Sequence, residues 1–417
     1  MIHSDPHELT ARLRALPDAS PALAVIAAGD EAVYLVGGAV RDLALGRAPL
    51  DLDLVVEGDP RGLAERLSGD GGPVRAHGRF GTATARSAHG VRYDIAAART
   101  ETYPHPGALP EVAAAGIGED LARRDFTVNA LALALSGPDR GRLLSAPHGI
   151  EDLRTGRLRV LHERSFRDDP TRLLRLARYA VRLGFTIEPH TEALARAATA
   201  DGAVATVSGA RIGAELRLLC SEPDPVAGFT VLRSLGADAA IAPAFGLHDP
   251  GAARRALATA AEVPAVQILV AAALLGVPEA DRRGLLDRLG FDRHTRREVL
   301  AAAAHAPELG RRAPADGPPS RLLAALPVDE PATIALAAGL APPATGAALE
   351  RWLAAGSRVR LQIDGGDLIA AGVPRGPAIS VALRAALGAR LDGMATTREQ
   401  QLATALAAVR GADSLGA

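Results

Sequence analysis

Residues 34–56 constrain the fold of this chain more than any other segment. An apolar run ends at Gly37 and Gly38, where the missing side chains let backbone N–H groups approach an anion before a short helix. The strand that follows alternates Asp51 and Asp53 with leucines, so both carboxylates point to one face. We therefore expect a strand–helix–strand unit that places two carboxylates near an anion-binding turn. Such a pair suits Mg²⁺.

An isolated Asp-Leu-Asp-Leu run more often marks a half-buried strand with a solvated face. Here the run follows a GGxxRD element that starts at Gly37 and contains Arg41 and Asp42. Together the two elements resemble the signature of the class II tRNA nucleotidyltransferases and bacterial poly(A) polymerases, which lie within the polymerase-β-like superfamily.

Three further segments carry the same resemblance. Residues 77–82, HGRFGT, are similar to a strand of the family's catalytic head, and residues 123–131, RRDFTVNAL, are similar to its RRDFTxNAL block. Residues 168–172, DDPTR, resemble the base-selecting EDxxR element, with Asp168 where the family has Glu. The resemblance is strong to about residue 220 and weak from there to about residue 355.

The resemblance implies a site for nucleotidyl transfer. Asp51 and Asp53 would be catalytic and hold two Mg²⁺ ions, and Asp94, in a strand predicted at residues 91–98, is a candidate third ligand. The expected nucleotide-binding residues are Gly37, Gly38, Arg41, Asp42, Arg124, Asp125, Asn129, Asp169, Arg172, Arg175 and Arg178. Within this set the resemblance implies that Arg124 contacts the nucleotide and that Asp125 accepts a hydrogen bond from the ribose 2′-hydroxyl.

A helix is predicted over residues 168–185, with Asp169 as its N-cap, Pro170 at its first position and Gly184 at its end. Its leucines fall on one side and its arginines on the other. A carboxylate beside a guanidinium complements cytosine and adenine, since Asp169 can accept from the amino group while Arg172 donates to a ring nitrogen. Uracil and guanine present the opposite pattern.

Composition fits a protein of several modules. The chain has 417 residues, 48% of them hydrophobic, and a formal net charge of −1, so the charge total does not indicate nucleic-acid binding. Arginine-rich stretches at 154–182 and 351–417 could contact RNA locally. No apolar run is long enough for a membrane span, the first residues do not resemble a signal peptide, and we expect a cytoplasmic protein. The single cysteine, Cys220, is predicted to be a core residue.

We predict an α+β fold: a polymerase-β-like nucleotidyltransferase head with a mixed sheet, followed by an all-α neck, body and tail. The Pro- and Gly-rich residues 103–118 are predicted to form a functional loop within the head. The predicted boundaries are an N-terminal helix at 1–21, the head at 22–145, the neck at 146–220, the body at 221–350 and the tail, with tRNA contacts, at 351–417.

The predicted activity is addition of CCA to tRNA 3′ ends from CTP and ATP, without a nucleic-acid template. The alternatives within the same class are a poly(A) polymerase or an enzyme that adds only CC or only A. The alternative from a different class is a catalytically idle RNA-binding protein on the same scaffold. The expected partners are the tRNA 3′ end, CTP and ATP, with no membrane or protein partner.

Overall fold

The structure is a computed structural model that describes residues 2–16, 19–49, 51–68, 73–77, 81–86, 92–326 and 330–413. The chain divides into two compact units. The first comprises Met1–Glu215 and Glu222–Ile241, and the second comprises Leu216–Ser221 and Ala242–Ala417. Strands lie in the first unit and the second is helical, so the predicted α+β class is confirmed. Every helix in the described ranges is too short or too polar to span a lipid bilayer.

The first unit contains the strands of the described residues. These are β1 (Ala32–Val36), β2 (Leu52–Glu57), β3 (Val74–His77), β4 (Thr82–Arg86), β5 (Arg92–Ala97), β6 (Arg99–Thr102), β7 (Glu111–Ala114), β8 (Leu131–Ala134), β9 (Leu143–Ser145), β10 (Arg157–Leu158) and β11 (Thr186–Ile187). One mixed sheet has the order β3-β4-β5-β2-β1-β8-β9, in which β2 and β5 are parallel and the other neighbours antiparallel. β6 pairs with β7, and β10 pairs with β11.

The helices of the first unit surround this sheet and extend beyond it. They are α1 (Pro6–Arg14), α2 (Ala19–Ala27), α3 (Gly38–Ala44), α4 (Pro60–Ser68), α5 (Ile117–Ala122), α6 (Gly149–Thr155), α7 (Ser165–Asp168), α8 (Thr171–Leu183), α9 (Pro189–Ala200), α10 (Gly209–Cys220), α11 (Pro225–Ser234) and α12 (Ala237–Ile241). α10 begins in the first unit and ends in the second. α2 runs across the predicted boundary at residue 21. α11 packs on α8, so residues 222–241 belong with the first unit although the sequence assigns them to the body.

The sheet places α5 beside the strands that carry the carboxylates. Every residue of β1 is buried because strands flank it on both sides. Tyr34 and Val36 share one hydrophobic cluster with Val55 of β2 and with Ile117 and Leu121 of α5. This packing fixes the end of α5, and hence the residues that follow it, against the edge of the central strands.

The prediction of a continuous loop over residues 103–118 is wrong in part. Residues 99–102 and 111–114 pair as the antiparallel strands β6 and β7, and α5 begins at Ile117. The sequence EVAA of β7 has a weak alternation of polar and apolar residues, so only the backbone pairing with β6 makes it a strand. The irregular part is therefore the turn at residues 103–110.

The helix predicted at 168–185 is present as α8, which begins at Thr171, one residue later than expected. Asp169 nevertheless caps it, since its Oδ1 accepts a hydrogen bond from the Thr171 N–H at 3.1 Å. Gly184 ends the helix with φ of 70°. The predicted helical neck also holds the short parallel pair β10–β11. Residues 78–80 of the HGRFGT segment and residue 91 lie outside the described residues.

The second unit is a set of packed helices. They are α13 (Pro250–Thr259), α14 (Ala265–Ala273), α15 (Glu279–Arg288), α16 (Arg293–Arg312), α17 (Pro319–Ala325), α18 (Pro331–Leu340), α19 (Pro343–Ala354), α20 (Gly365–Ala370), α21 (Pro377–Leu391) and α22 (Arg398–Asp413). Gly339 allows α18 to pack closely on α13. Any other residue there would place its Cβ only 2.8 Å from Cβ of Ala256. Cys220 is buried as predicted, and burial raises its pKa to about 12.

Candidate active site

The glycine turn after β1 is shaped to accept a neighbouring arginine. Gly37 has φ of 64°, in the left-handed region that favours glycine. A Cβ at Gly37 would lie 2.7 Å from NH1 of Arg124, so the close approach of this guanidinium also requires glycine. Gly38 begins α3 directly after the turn. The predicted anion-binding turn is therefore next to a positive charge.

Three predicted carboxylates lie on neighbouring strands. Asp51 is exposed just before β2, and Asp53 is partly buried within it. β2 and β5 are parallel with Asp53 directly opposite Asp94. Burial raises the pKa of Asp53 to about 6, and the negative charges of Asp94 and Asp51 also raise it, while Arg124 opposes them.

Asp94 is already held by two neighbours. Thr84 Oγ1 donates to its Oδ1 at 2.9 Å, and Arg92 Nε donates to the same oxygen at 3.1 Å. In the described ranges, no three His, Cys, Asp or Glu side chains are gathered as a ready metal cluster. Asp51 and Asp53 still fit Mg²⁺, because burial and the neighbouring carboxylates Asp94 and Asp51 make the Asp53 site unfavourable for an unpaired negative charge. Mg²⁺ also usually takes only one or two protein carboxylates beside phosphate oxygens.

Asp120 holds the two arginines that follow α5. It is fully buried, and its Oδ1 accepts from Arg123 Nε at 3.0 Å while its Oδ2 accepts from Arg124 NH2 at 2.9 Å. Glu101 on β6 accepts from Arg123 NH1 at 2.8 Å and from the Tyr103 hydroxyl at 2.9 Å. Sequence reasoning did not identify Asp120 or Glu101. The i,i+3 and i,i+4 spacing of Asp120 from the two arginines was the available signal.

Asp125 accepts hydrogen bonds at every acceptor position that a carboxylate offers. Its Oδ1 accepts from Phe126 N at 2.8 Å and from Asn129 Nδ2 at 3.0 Å, and its Oδ2 accepts from both Nε and NH2 of Arg175. Burial by itself would raise the pKa of Asp125, but Arg175 and the Asn129 hydrogen bond outweigh burial and lower it to about 2.

Arg41 lies behind the predicted site. Its side chain is buried, NH1 donates to Asn129 Oδ1 at 2.6 Å, and Nε donates to Asp42 at 2.9 Å. Its guanidinium also lies 5.5 Å from the centre of the Tyr179 ring. Arg41 and Asp42 therefore brace the turn around Asn129.

Arg178 is also buried, in an ion-pair network with Glu215 and with Glu222, whose Oε1 it reaches at 3.1 Å from Nε. Its guanidinium lies 5.7 Å from the Tyr179 ring centre. The sequence placed Arg178 with the nucleotide contacts. The structure instead places it inside the helix packing, because α10 and the segment between α10 and α11 bring acidic residues to this side of α8.

A cavity of about 300 Å³ brings together most of the remaining predicted residues. Its lining combines groups from the sheet, from the segment after α5 and from α8: Gly37, Gly38, Asp53, Glu101, Tyr103, Arg123, Arg124, Asp125, Asn129, Asp169, Arg172, Arg175 and Tyr179. Arg41, Asp42, Asp51 and Arg178 are not part of this lining. Asp94 lines an adjacent cavity of about 370 Å³ that also contacts Asp53, Arg123 and Arg124.

Asp169 and Arg172 lie together at the α8 side of the cavity. Arg172 NH1 donates to Ser165 Oγ and its NH2 to the Arg123 carbonyl, each at 2.7 Å, which uses two of its five N–H donors. Oδ1 of Asp169 accepts from Thr171 Oγ1 at 2.6 Å. Among the described residues, the remaining donors of Arg172 and Oδ2 of Asp169 have no hydrogen-bond partner, and both side chains line the same cavity.

Comparisons with known proteins point in one direction. Residues 33–159 match the Poly A polymerase head domain. The chain is 45% identical over 206 residues to the A-adding tRNA nucleotidyltransferase of Halalkalibacterium halodurans, which covers 49% of this chain and 48% of that protein. The chain therefore spans about half the length of that relative.

A second relative matches over a greater share of its length. The CC-adding tRNA nucleotidyltransferase of Deinococcus radiodurans is 37% identical over 316 residues, which is 68% of this chain and 83% of that protein. Among solved structures, the Thermotoga maritima CCA-adding enzyme complexed with tRNA_CCA superposes with a TM-score of 0.78 at 28% identity, covering 98% of this chain and 99% of that one.

Proposed function

The chain belongs to the family of tRNA nucleotidyltransferases and bacterial poly(A) polymerases, and on this premise we propose that it adds C and A residues to tRNA 3′ ends from CTP and ATP. The observation that carries the proposal is the 300 Å³ cavity, in which a glycine turn and Asp53 meet Asp169 and Arg172. One cavity thus offers a place for phosphates and a place for a base. The proposed location is the cytoplasm, where both substrates occur.

The triphosphate end of the nucleotide is assigned to the glycine turn and to Arg124. Arg124 is held by Asp120 through Nε and NH2, so its orientation is set before any ligand binds. Its planar guanidinium matches the oxygens of a phosphate better than an ammonium does. Arg123, held by Asp120 and Glu101, adds a second positive charge to the same wall.

Asp51 and Asp53 are assigned to two Mg²⁺ ions, with Asp94 as the nearest further carboxylate. When bound, these ions would lower the pKa of the attacking 3′-hydroxyl and neutralise charge on the leaving pyrophosphate. The fixed strand pairing of β2 with β5 keeps the carboxylates in place while the substrate changes from one addition to the next.

Base choice is assigned to Asp169 and Arg172. The amino groups of cytosine and adenine donate to Asp169, and the ring nitrogens accept from Arg172. Uracil and guanine present a carbonyl and an N–H at these positions, which would leave both protein groups wrongly paired. Because the protein supplies this pattern, selection needs no nucleic-acid template.

Acceptance of a hydrogen bond from the ribose 2′-hydroxyl by Asp125 stays a prediction, and it requires one of the present donors to Asp125 to be shared or displaced. Its four acceptor positions are filled by Phe126, Asn129 and Arg175, so a 2′-hydroxyl must share or replace one of these donors. Arg175 and Asn129 both line the cavity, and Arg175, which comes from α8, is the donor that can move without breaking the backbone turn at residues 125–129.

A partial activity is the second candidate, because relatives of this chain carry the names A-adding and CC-adding tRNA nucleotidyltransferase. One assay separates the candidates. Purified protein is incubated with tRNA transcripts that end before CCA, after C, and after CC, with each labelled NTP separately. CCA addition extends all three transcripts with the correct nucleotide, whereas a partial enzyme extends only some. Long A tails on any RNA would indicate a poly(A) polymerase, and no extension would contradict the proposal.

A further inference from the structure

Arg211, at the start of α10, joins two parts of the first unit that have different roles. Its NH2 donates to Asp169 Oδ1 at 2.8 Å, and its NH1 donates to the carbonyl oxygen of Gly107 at 3.2 Å. Asp169 is the carboxylate assigned to base reading, and Gly107 lies in the turn between β6 and β7. Neither the sequence motifs nor the chemistry described above uses Arg211.

Gly107, in the turn at residues 103–110, is hydrogen-bonded to the neck through both its backbone N–H and its carbonyl oxygen. The Gly107 N–H donates to the carbonyl of Asp168 at 3.3 Å, next to the residue that Arg211 holds. Gly107 has φ of 72°, and a Cβ there would lie 2.6 Å from the carbonyl oxygen of Thr206. Gly107 and Ala108 are buried, whereas residues 104–106 are exposed. The position of the turn therefore determines whether Arg211 can donate to the carbonyl oxygen of Gly107.

The three donors to Asp169 all use the same oxygen. Oδ1 accepts from Thr171 N, from Thr171 Oγ1 and from Arg211, at 3.1, 2.6 and 2.8 Å. Within the described part of the chain, no donor to Oδ2 is placed at hydrogen-bond distance. This asymmetry fixes the rotation of the carboxylate and leaves Oδ2 as the oxygen that is free to accept from a ligand.

We propose that Arg211 is a positioning residue that couples the β6–β7 turn to the orientation of the Asp169 carboxylate and thereby sets selection of the incoming base. The inference rests on the proposed function, since Asp169 can read a base only if the cavity binds a nucleotide. Arg211 does not line the cavity, so it acts through Asp169. Movement of the turn removes the acceptor of NH1 and lets the guanidinium release Oδ1.

The test disrupts the hydrogen bonds that join Gly107 to Asp169, once at Arg211 and once at Gly107. Arg211→Met removes the donors and keeps most of the side-chain volume, whereas Gly107→Ala moves the turn without changing Arg211. The double variant combines them. Arg61→Met is the matched control, because Arg61 is an exposed arginine that pairs with Glu65 on α4. kcat and KM for each of the four NTPs are measured on the same tRNA transcripts, and thermal unfolding is recorded for every variant.

The preference for CTP and ATP over UTP and GTP, taken from kcat/KM, is expected to fall about ten-fold or more in both single variants, as expected for loss of a charge-assisted hydrogen bond. The double variant is expected to lose no more than the larger single effect, because both changes break one link. A merely structural role would lower turnover for all NTPs alike, with unchanged ratios, and that result would overturn the inference. Additive effects on selectivity would also overturn it.

If Arg211→Met does not fold, Arg211→Lys tests the same link, because one nitrogen replaces the two that reach Gly107 and Asp169. Unchanged selectivity in that variant would overturn the coupling. Failure of the proposed function is distinct: the wild-type protein would then extend none of the transcripts. Normal extension by the wild type with unaltered selectivity in the variants would overturn only the role of Arg211.

Discussion

Arg175 donates from Nε and NH2 to the same oxygen of Asp125, with the Nε–Oδ2 distance at 2.9 Å. The two residues are 50 positions apart, on α8 and on the segment after α5. This pair joins α8, which carries Arg172, to the segment that carries Arg124. It also gives the site a measurable dependence on pH.

The Asp125 pair predicts a loss of stability in acid. The pKa of Asp125 is lowered to about 2 in the fold from an ordinary value of 3.8, so ionised Asp125 stabilises the folded state above about pH 4. That contribution, of about 2 kcal/mol, should disappear as the pH falls from 4 to 2. The free energy of unfolding of the wild type is compared with that of Asp125→Asn by denaturant titration between pH 2 and 6. A difference that stays constant over this range would contradict the assignment.

Removal of either carboxylate that we propose to hold Mg²⁺ should abolish activity. Asp51→Ala and Asp53→Ala are expected to retain less than about one per cent of wild-type turnover at saturating Mg²⁺. The fold should persist, because burial and the like charges of Asp94 and Asp51 raise the pKa of Asp53, so its ionised carboxylate does not stabilise the folded state. Nucleotide incorporation and thermal midpoints are the measurements, and Glu65→Ala, at an exposed carboxylate on α4, is the control. Chelation of divalent ions should have the same effect on the wild type, and substantial turnover in either variant would exclude the two-metal assignment.

Gly37→Ala should weaken nucleotide binding. The left-handed backbone costs a non-glycine residue about 1–2 kcal/mol, and the added Cβ would displace Arg124. KM for CTP and ATP is expected to rise about ten-fold or more, because a charge-assisted contact is lost. Gly118→Ala is the matched control, since a Cβ at Gly118 has no neighbour within 4 Å. Steady-state kinetics with both nucleotides decide the matter, and equal KM values in the two variants would count against the phosphate role of this turn.

The turn between β6 and β7 should matter most for the terminal A. Replacement of residues 104–109 by a shorter turn keeps the paired strands at 99–102 and 111–114. Addition of the two C residues should persist while addition of A is lost, because the turn is expected to reposition the site between nucleotides. Gel analysis of products on transcripts ending before CCA and after CC measures both steps. A shortened turn at residues 137–141, between β8 and β9, is the control. Complete CCA addition at the parental rate would remove this role from the turn.

Asp169 and Arg172 should govern which base is accepted. Asp169→Ala removes the acceptor for the amino group, so the advantage of CTP and ATP over UTP and GTP should fall by about 1–3 kcal/mol. Arg172→Ala should slow CTP and ATP together, because both lose the donor to a ring nitrogen. Single-nucleotide incorporation on one tRNA primer compares the four NTPs. Unchanged ratios among them in the Asp169 variant would rule out base reading by this residue.

The sequence by itself determined the local geometry of the site. The glycine pair predicted a tight turn before a short helix, the alternation of Asp51 and Asp53 with leucines predicted a strand with its carboxylates on one face, and helical periodicity predicted α8. These features depend on short-range sterics and on periodic burial, which a sequence pattern carries directly.

Only the tertiary structure decided which charged side chains face the cavity. Arg41 and Arg178 were predicted beside Arg124 and Arg172 as nucleotide contacts, yet neither lines the cavity. Arg41 is buried against the adjacent Asp42 and the distant Asn129, and Arg178 is buried in ion pairs with Glu215 and Glu222. Sequence patterns also did not identify Asp120 or Arg211, because their roles depend on partners that are brought together by packing. Local periodicity cannot specify contacts between residues 40 to 100 positions apart, since these follow from strand register and helix packing in the folded chain.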